Sequence, residues 1–255
     1  MVVLGSGSSG NCTLVEGRRG RLLIDCGLSA RETARRLQQV GCSPKSVDAV
    51  IVSHEHGDHV RGAARFSRRF GAAIHTTPAT ARAAGLDTLG VAALCLSEAS
   101  ALYSVGDLEV ETFSLPHDAV DNVGVVVSCE GTRLGYATDL GYPTRLACER
   151  LRACEVLVTE SNHDADLLRD GPYPWSVKQR IASRHGHLSN EAMGSLVAEV
   201  AGAATRHLVL AHLSDTNNTP GLARRAGRAA LERAGRSGVA VHVAWQDRVS
   251  EVVET

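Results

Sequence analysis

A chain of 255 residues is long enough to bury a substantial core, as one elaborated domain or one two-layer domain. Its 44% apolar and 22% charged residues are ordinary for a globular protein, and no run reaches the ~18 apolar residues of a membrane span. The net charge of −1 excludes a general attraction to nucleic acid; the positive charge is nearly all arginine, with Lys45 and Lys178 the only lysines, and GC-rich coding explains most of that bias.

Taken in order, residues 2–4, 12–16 and 21–25 predict short strands separated by Gly/Ser turns. The turn Gly5-Ser6-Gly7-Ser8-Ser9-Gly10-Asn11 can line a site with backbone N–H groups and hydroxyls, but it lacks the Lys-Ser/Thr ending of a P-loop. Leu22-Leu23-Ile24 delivers Asp25 to a strand end. That carboxylate either takes the second N–H of a metal-bound histidine or merely starts a turn. Apolar spacing predicts a helix from Ser29 to Val40, ended by Gly41. Ala49-Val50-Ile51-Val52 reads as a buried strand, followed by a helix from Val60 to Phe70 with Arg61, Arg65, Arg68 and Arg69 on one face. That face guides phosphates or is simply solvated.

Further on, a strand is expected at 72–76, a helix at 78–84, and strands at 101–105, 107–115, 122–129 and 132–138. The second half alternates: a helix at 143–154, a strand at 155–159, helices near 174–184 and 188–201, a strand at 207–211 and a helix at 220–235. Strands at 239–245 and 248–253 close the chain. There is no internal repeat, linker or low-complexity run. Strands grouped around alternating helices in both halves predict sheets packed face to face with helices outside. Seven scattered cysteines without a CxxC pair predict free thiols in a reducing compartment. The first residues lack the basic and apolar regions of a secretion signal, so a cytoplasmic location is expected.

The densest chemistry lies in Ser53-His54-Glu55-His56-Gly57-Asp58-His59, directly after the predicted buried strand. His54 and His56 are two apart, so on extended chain both imidazoles point to one side. Asp58 and His59 follow where Gly57 lets the chain turn toward a second point nearby. Three imidazoles and a carboxylate in six residues are borderline ligands that suit Zn, Mn or Fe. Two later strands end in Leu115-Pro116-His117-Asp118 and Tyr136-Ala137-Thr138-Asp139.

This His-x-His-x-Asp-His motif, with His117, Asp139 and His212 following in order after later strands, resembles the signature of the metallo-β-lactamase-fold hydrolases. The resemblance covers essentially the whole chain. It implies an α+β fold, a four-layer αββα sandwich with residues 1–255 as one domain, and two divalent metal ions (Zn or Mn, with Fe admissible) at one edge. One metal would take His54, His56 and His117; the other Asp58, His59 and His212; Asp139 would bridge them. The Gly5–Asn11 turn, Glu160-Ser161-Asn162-His163-Asp164 and Gly186-His187-Leu188-Ser189-Asn190 are together similar to the YycJ/WalJ-like group, cytoplasmic nucleases with 5′-exonuclease activity on double-stranded DNA. The Gly-His-Leu-Ser segment also resembles one in ribonuclease Z and cyclic phosphodiesterases whose histidine contacts the scissile phosphate. His187 is therefore expected to bind phosphate or act as general acid. Long insertions for a nucleic-acid-binding cap or arm are absent, unlike in ribonucleases J and Z.

Two divalent ions bring four positive charges, and Asp58, Asp139 and a metal-bridging hydroxide remove three; the remaining charge favours an anionic phosphodiester over a neutral ester. The expected function is thus a dinuclear metal-dependent phosphodiesterase, a nuclease with DNA as its partner, whose catalytic side chains are Asp58, Asp139 and His187. The alternative is a phosphodiesterase for small or cyclic nucleotides; thioester or lactam hydrolysis is disfavoured. Asp25, Ser6, Asn162, His163 and Ser189 are expected to support the site or touch substrate, His163 alternatively only starting a helix. His75, His185, His207 and His242 read as structural or surface residues.

Overall fold

Runs of buried apolar residues pair much as their patterning predicts. In the computed structural model, which describes Met1–Thr255, they fall into two compact units. The first comprises Met1–Thr112, Ala119–Val123 and Trp245–Glu254. Its sheet runs in chain order through β1 (Val2–Gly5), β2 (Cys12–Glu16), β3 (Arg21–Ile24), β4 (Ala49–Ile51), β5 (Ala73–Thr76) and β6 (Leu94–Leu96). The first three strands are antiparallel; β3 to β6 are parallel. Parallel strands are covered on both faces, which is why Leu22-Leu23-Ile24 and Val50-Ile51 are continuously apolar and buried. Helices α1 (Ala30–Gln39), α2 (Gly57–Val60), α3 (Ala63–Phe70) and α4 (Pro78–Ala83) connect them, followed by the hairpin of β7 (Leu102–Val105) and β8 (Leu108–Ser114).

The second unit comprises Phe113–Asp118, Gly124–Ala244 and Thr255. Its strands lie in the order β13 (Ala240–Val243), β12 (His207–Ala211), β11 (Val156–Glu160), β10 (Thr132–Ala137), β9 (Val123–Cys129). The β9–β10 hairpin closes on Glu130 and Gly131, both at positive φ (50° and 85°), as a two-residue turn of matching twist requires. The rest is parallel, with α5 (Arg145–Leu151), α6 (Ala165–Asp170), α7 (Trp175–Ile181), α8 (Asn190–Val200) and α9 (Pro220–Arg233) in the crossovers. Leu157, Met193, Leu196, Leu208, Leu210 and Leu231 form much of its core. No helix is long and apolar enough to cross a membrane, and all seven cysteines are free thiols.

Three expectations need correction. The helix expected over 60–70 is broken between α2 and α3, because the chain there presses on the segment after β3. Gly62 donates to Cys26 O at 2.8 Å, and a Cβ at Gly62 would lie 2.1 Å from Leu28 O. The strand expected at 248–253 does not form a ladder: Ser250 and Val253 donate to Val3 O and Met1 O, but the Ser250 hydroxyl takes the Val3 N–H that a second backbone carbonyl would need. The short strand β6 was not foreseen; α6 forms where the sequence left open a helix starting at His163, and its cap is Asp164, whose Oδ1 accepts from the amides of Asp166 and Leu167.

Register decides what shares a sheet edge. Ala137 pairs with Thr159, Thr159 with Leu210, and Glu160 with Ala211. Asp139, Glu160 and His212 therefore emerge side by side where three parallel strands end, the edge at which open α/β sheets place ligands.

Candidate metal centre

In the first unit, Asp25 organises the motif. Its backbone has φ 61°, a left-handed conformation that aspartate tolerates better than most residues. One carboxylate oxygen accepts from Ser53 N at 2.9 Å; the other accepts from His59 Nδ1 at 2.8 Å, with both side chains fully buried. The first contact sets the exit of β4, and the second leaves Nε2 as the nitrogen that His59 can offer to a metal. Beside it, His54 Nδ1 lies 3.0 Å from Ser53 Oγ, and the His54 ring stands 4.6 Å from that of His56 and 4.1 Å from that of His59. Asp58 Oδ2 is 3.4 Å from His59 Nε2. His54, His56, Asp58 and His59 thus converge within this unit.

Asn11 is a neighbour that patterning did not mark as a site residue. Its Nδ2 lies 3.0 Å from His59 Nε2 and 3.3 Å from Asp58 Oδ2, while its Oδ1 accepts from Gly7 N. The Gly/Ser turn is thereby fastened to the motif through an asparagine, and Ser6 is buried with its N–H bonded to Trp245 O. Glu55 points elsewhere, accepting from Val120 N at 2.9 Å.

In the second unit, His117 donates from Nδ1 to Gly186 O at 3.0 Å, which assigns its tautomer and leaves Nε2, 3.9 Å from Asp139 Oδ1. Burial pushes the pKa of His117 down, outweighing the nearby Asp139, and so favours the neutral imidazole that a ligand needs. Asp139 and His212 both have positive φ, 57° and 53°. Left-handed backbone at Asp25, Asp139 and His212, each just past a strand, is strain of about 1–3 kcal/mol per residue of the kind that gathers at functional sites. His212 Nε2 is 3.4 Å from Asp139 Oδ1, and its Nδ1 is 3.3 Å from Glu160 Oε1. Asn162 Nδ2 donates to His212 O at 3.0 Å.

Glu160 is the residue that motif reading missed. It is fully buried at the end of β11. Oε1 lies 2.7 Å from His187 Nδ1, and Oε2 accepts from the amides of Leu140 and Leu188. Burial alone would raise its pKa, but the charge and hydrogen bond of His187, with that of His212, hold it down at about 2. For His187 the balance is reciprocal: burial would lower the pKa, and Glu160 followed by Asp139 raises it. The side chain of His187 remains 18% exposed, 3.6 Å from Asp139 Oδ1, with its ring stacked on that of His212 at 5.3 Å. The signal available for Glu160 was a lone carboxylate closing the apolar run Val156-Leu157-Val158-Thr159.

Asp139, Glu160, His187 and His212 offer donor atoms within 4.8 Å of one another. Glu160, with both oxygens already engaged, holds histidines; Asp139 and His212 have the character of ligands. The donors fit divalent metal. The Nδ1 atoms of His54, His59, His117 and His212 are each taken by a hydroxyl, carboxylate or carbonyl, the arrangement by which metal-binding histidines are held with Nε2 forward.

Of the remaining expected residues, Ser189 caps α8, its Oγ accepting from Ala192 N at 3.1 Å. His163 is buried, and its carbonyl accepts from Asn190 N. Asn218 Nδ2 donates to the carbonyls of Ser161 and Asn162 and to Asn190 Oδ1, which also accepts from the Ser161 hydroxyl. His75 stacks on Tyr103, and His207 pairs with His242.

Known proteins bear on this chemistry. A profile of the Metallo-beta-lactamase superfamily matches residues 5–175. The chain is 34% identical over 235 residues to exodeoxyribonuclease YycJ of Bacillus anthracis, which covers 91% of this chain and 89% of that protein. It is 32% identical over 225 residues to exodeoxyribonuclease WalJ of Streptococcus pneumoniae, 87% of this chain and 84% of the other. Among solved structures, the metallo-β-lactamase-fold protein YhfI of Bacillus subtilis superposes with a TM-score of 0.76 at 18% identity over 97% of each chain, which shows the fold. With the histidine motif, its strand-end carboxylates and these likenesses together, the chain belongs to the metallo-β-lactamase superfamily and is a hydrolase of that family.

Proposed function

We propose that this hydrolase is a dinuclear phosphodiesterase that degrades nucleic acid, with double-stranded DNA attacked from the 5′ end as its substrate. The observation that carries the reading is the His187–Glu160 pair. A partly exposed histidine paired with a carboxylate stands beside the Asp139 and His212 donors, and two relatives that match most of the chain are named exodeoxyribonucleases. His54, His56 and His117 would hold one ion and Asp58, His59 and His212 the other, with Asp139 shared. Bound divalent ions would supply charge neutralisation for the phosphate and water that ionises near neutral pH.

The chain's own residues do the rest. Asp25 orients His59 and fixes the backbone at Ser53, so the motif is held before any ion arrives. Glu160 raises the pKa of His187 and aims the ring. His187 then has a proton at its disposal for the oxygen that leaves phosphorus, a role worth roughly 10²–10⁴ in rate. Glu160 itself cannot be the donor, since it is ionised and enclosed.

The test is to incubate the Mn- or Zn-loaded protein with 5′- and 3′-labelled double-stranded DNA, matched RNA and a small chromogenic diester. Release of mononucleotides from the 5′ end of DNA supports the proposal. Turnover of the small diester alone would replace it with a small-molecule phosphodiesterase.

A further inference from the structure

The Proposed function leaves unused a cavity of about 260 Å³ formed by α6 and α7. His163, Ala165, Leu168, Trp175, Lys178 and Ala182 line it. Trp175 is 69% exposed, an unusual placement for the largest apolar side chain. Pro172 and Pro174 stiffen the chain that leads into α7, and Tyr173 Oη bonds Thr216 Oγ1 at 3.3 Å, so the indole stands on the first residue of a helix whose entry is tethered. At the other wall, His163 is 3% exposed, and its buried Nδ1 has no hydrogen-bond partner. The ring of His163 therefore closes the back of the cavity as an enclosed wall, and the accessible lining is almost wholly apolar. Lys178, one of the two lysines, lies between them, its Nζ donating to Arg169 O.

The location ties this cavity to the reaction. His163 follows Asn162, which bonds His212 O, and the imidazole feels the charges of both Glu160 and His187. The cavity thus shares one wall residue, His163, with the surroundings of the His187–Glu160 pair. The volume falls just below the ~300–1,000 Å³ of sites for drug-sized ligands, which suits one aromatic ring system and not a dinucleotide.

We infer that the α6–α7 cavity is a nucleobase pocket, in which a substrate base stacks on Trp175 against the apolar wall of Ala165 and Leu168. The inference rests on the nucleic-acid reading above and deepens it. Recognition by stacking accepts every base, which is what processive degradation of arbitrary sequence needs. Lys178 adds a cation near the sugar–phosphate.

Two measurements test it. First, intrinsic fluorescence is titrated with deoxyadenosine monophosphate and, separately, with deoxyribose 5-phosphate. The nucleotide is expected to quench and saturate, the sugar phosphate to do neither, and the response to vanish in W175F. Second, cleavage is compared between a normal duplex and one whose terminal residue is abasic, in wild type and W175A. Replacing an exposed side chain leaves the fold intact. W175A is expected to raise KM about tenfold on normal DNA, to add nothing on the abasic end, and to be rescued by W175F. Independent, additive losses, or equal fluorescence responses to nucleotide and sugar phosphate, would overturn the pocket. So would a self-association that W175A abolishes, which would make this face a subunit contact. If wild type cleaves no DNA, the nuclease reading fails separately, because the fluorescence titration needs no turnover and still judges the pocket.

Discussion

His187 Nδ1 stands 2.7 Å from Glu160 Oε1, while Glu160 Oε2 is held by the amides of Leu140 and Leu188. A carboxylate fastened at both oxygens cannot rotate away from its histidine. Glu160→Gln keeps the shape but removes the charge that raises the pKa of His187. Activity is expected to fall roughly 10- to 100-fold, the usual cost of losing a partner behind a site residue. Because Glu160 also faces His212 Nδ1, the comparison is made at saturating metal, with metal content checked by elemental analysis. Full recovery of activity at saturating metal would leave Glu160 only its hold on His212.

Within the first unit, Asp25 holds His59 in the same way. Asp25→Asn keeps one acceptor but loses the charge facing His59 Nδ1. Metal affinity is expected to drop roughly 10- to 100-fold, read as faster stripping by a chelator at constant pH. Equal stripping rates would leave Asp25 only its bond to Ser53 N.

Gly27 lets the motif lean on the chain. A Cβ there would lie 1.6 Å from Asp58 O and 2.2 Å from Asp58 C, both backbone atoms that cannot step aside. Gly27→Ala should destabilise by about 3 kcal/mol or more, at the upper end of overpacking effects. Gly238→Ala, with open space around its Cβ position, should be near neutral. Denaturant midpoints compare the two; equal shifts would contradict the close approach.

Glu32 carries a pH dependence of stability. Hydrogen bonds from Arg35, and then Arg36 against an opposing burial cost, hold its pKa down at about 2, from an ordinary value of 4.5. A depressed carboxylate pKa stabilises the fold above the unfolded value and loses that contribution as pH falls through the folded one. The window is therefore about pH 4.5 to 2. Since Glu32 is 31% and Arg35 52% exposed, the contribution at neutral pH is discounted to about 1 kcal/mol. Arg36 spreads the effect, because its Nη1 also bonds Leu4 O and Gln246 O. Wild type should exceed Glu32→Gln by about that amount at pH 7, with the gap closing toward pH 2. A gap independent of pH would contradict the assignment.

Much of this was legible in the residues. His54, His56, Asp58 and His59 are adjacent in sequence, so one short segment declares their purpose, and Asp25, Asp139 and His212 each end a recognisable apolar run. Glu160 ends such a run as well, yet its importance depends on register: only the pairing of Glu160 with Ala211 brings it to His212, and only the loop ending in Leu188 brings His187 to it. Asn11, Asn190 and Asn218 work through side-chain amide contacts to distant residues, which leave no periodic trace. The break at Gly62 and the irregular tail at Ser250 were hidden for a related reason, since each is decided by a distant backbone group, Leu28 O and Val3 N respectively. Local propensity carries no information about such partners.

The central claim is that His187 delivers a proton to the leaving oxygen, and leaving-group dependence tests it most directly. Cleavage by wild type and His187→Ala is compared, at matched metal content, on DNA and on a nitrophenyl ester of thymidine phosphate. A DNA alkoxide needs the proton; nitrophenolate leaves without one. The account predicts a loss of roughly 10²–10⁴ on DNA, and a far smaller loss, about tenfold or less, on the nitrophenyl ester. Equal losses on both substrates would contradict it, and would leave His187 as a phosphate-binding residue with no part in proton transfer.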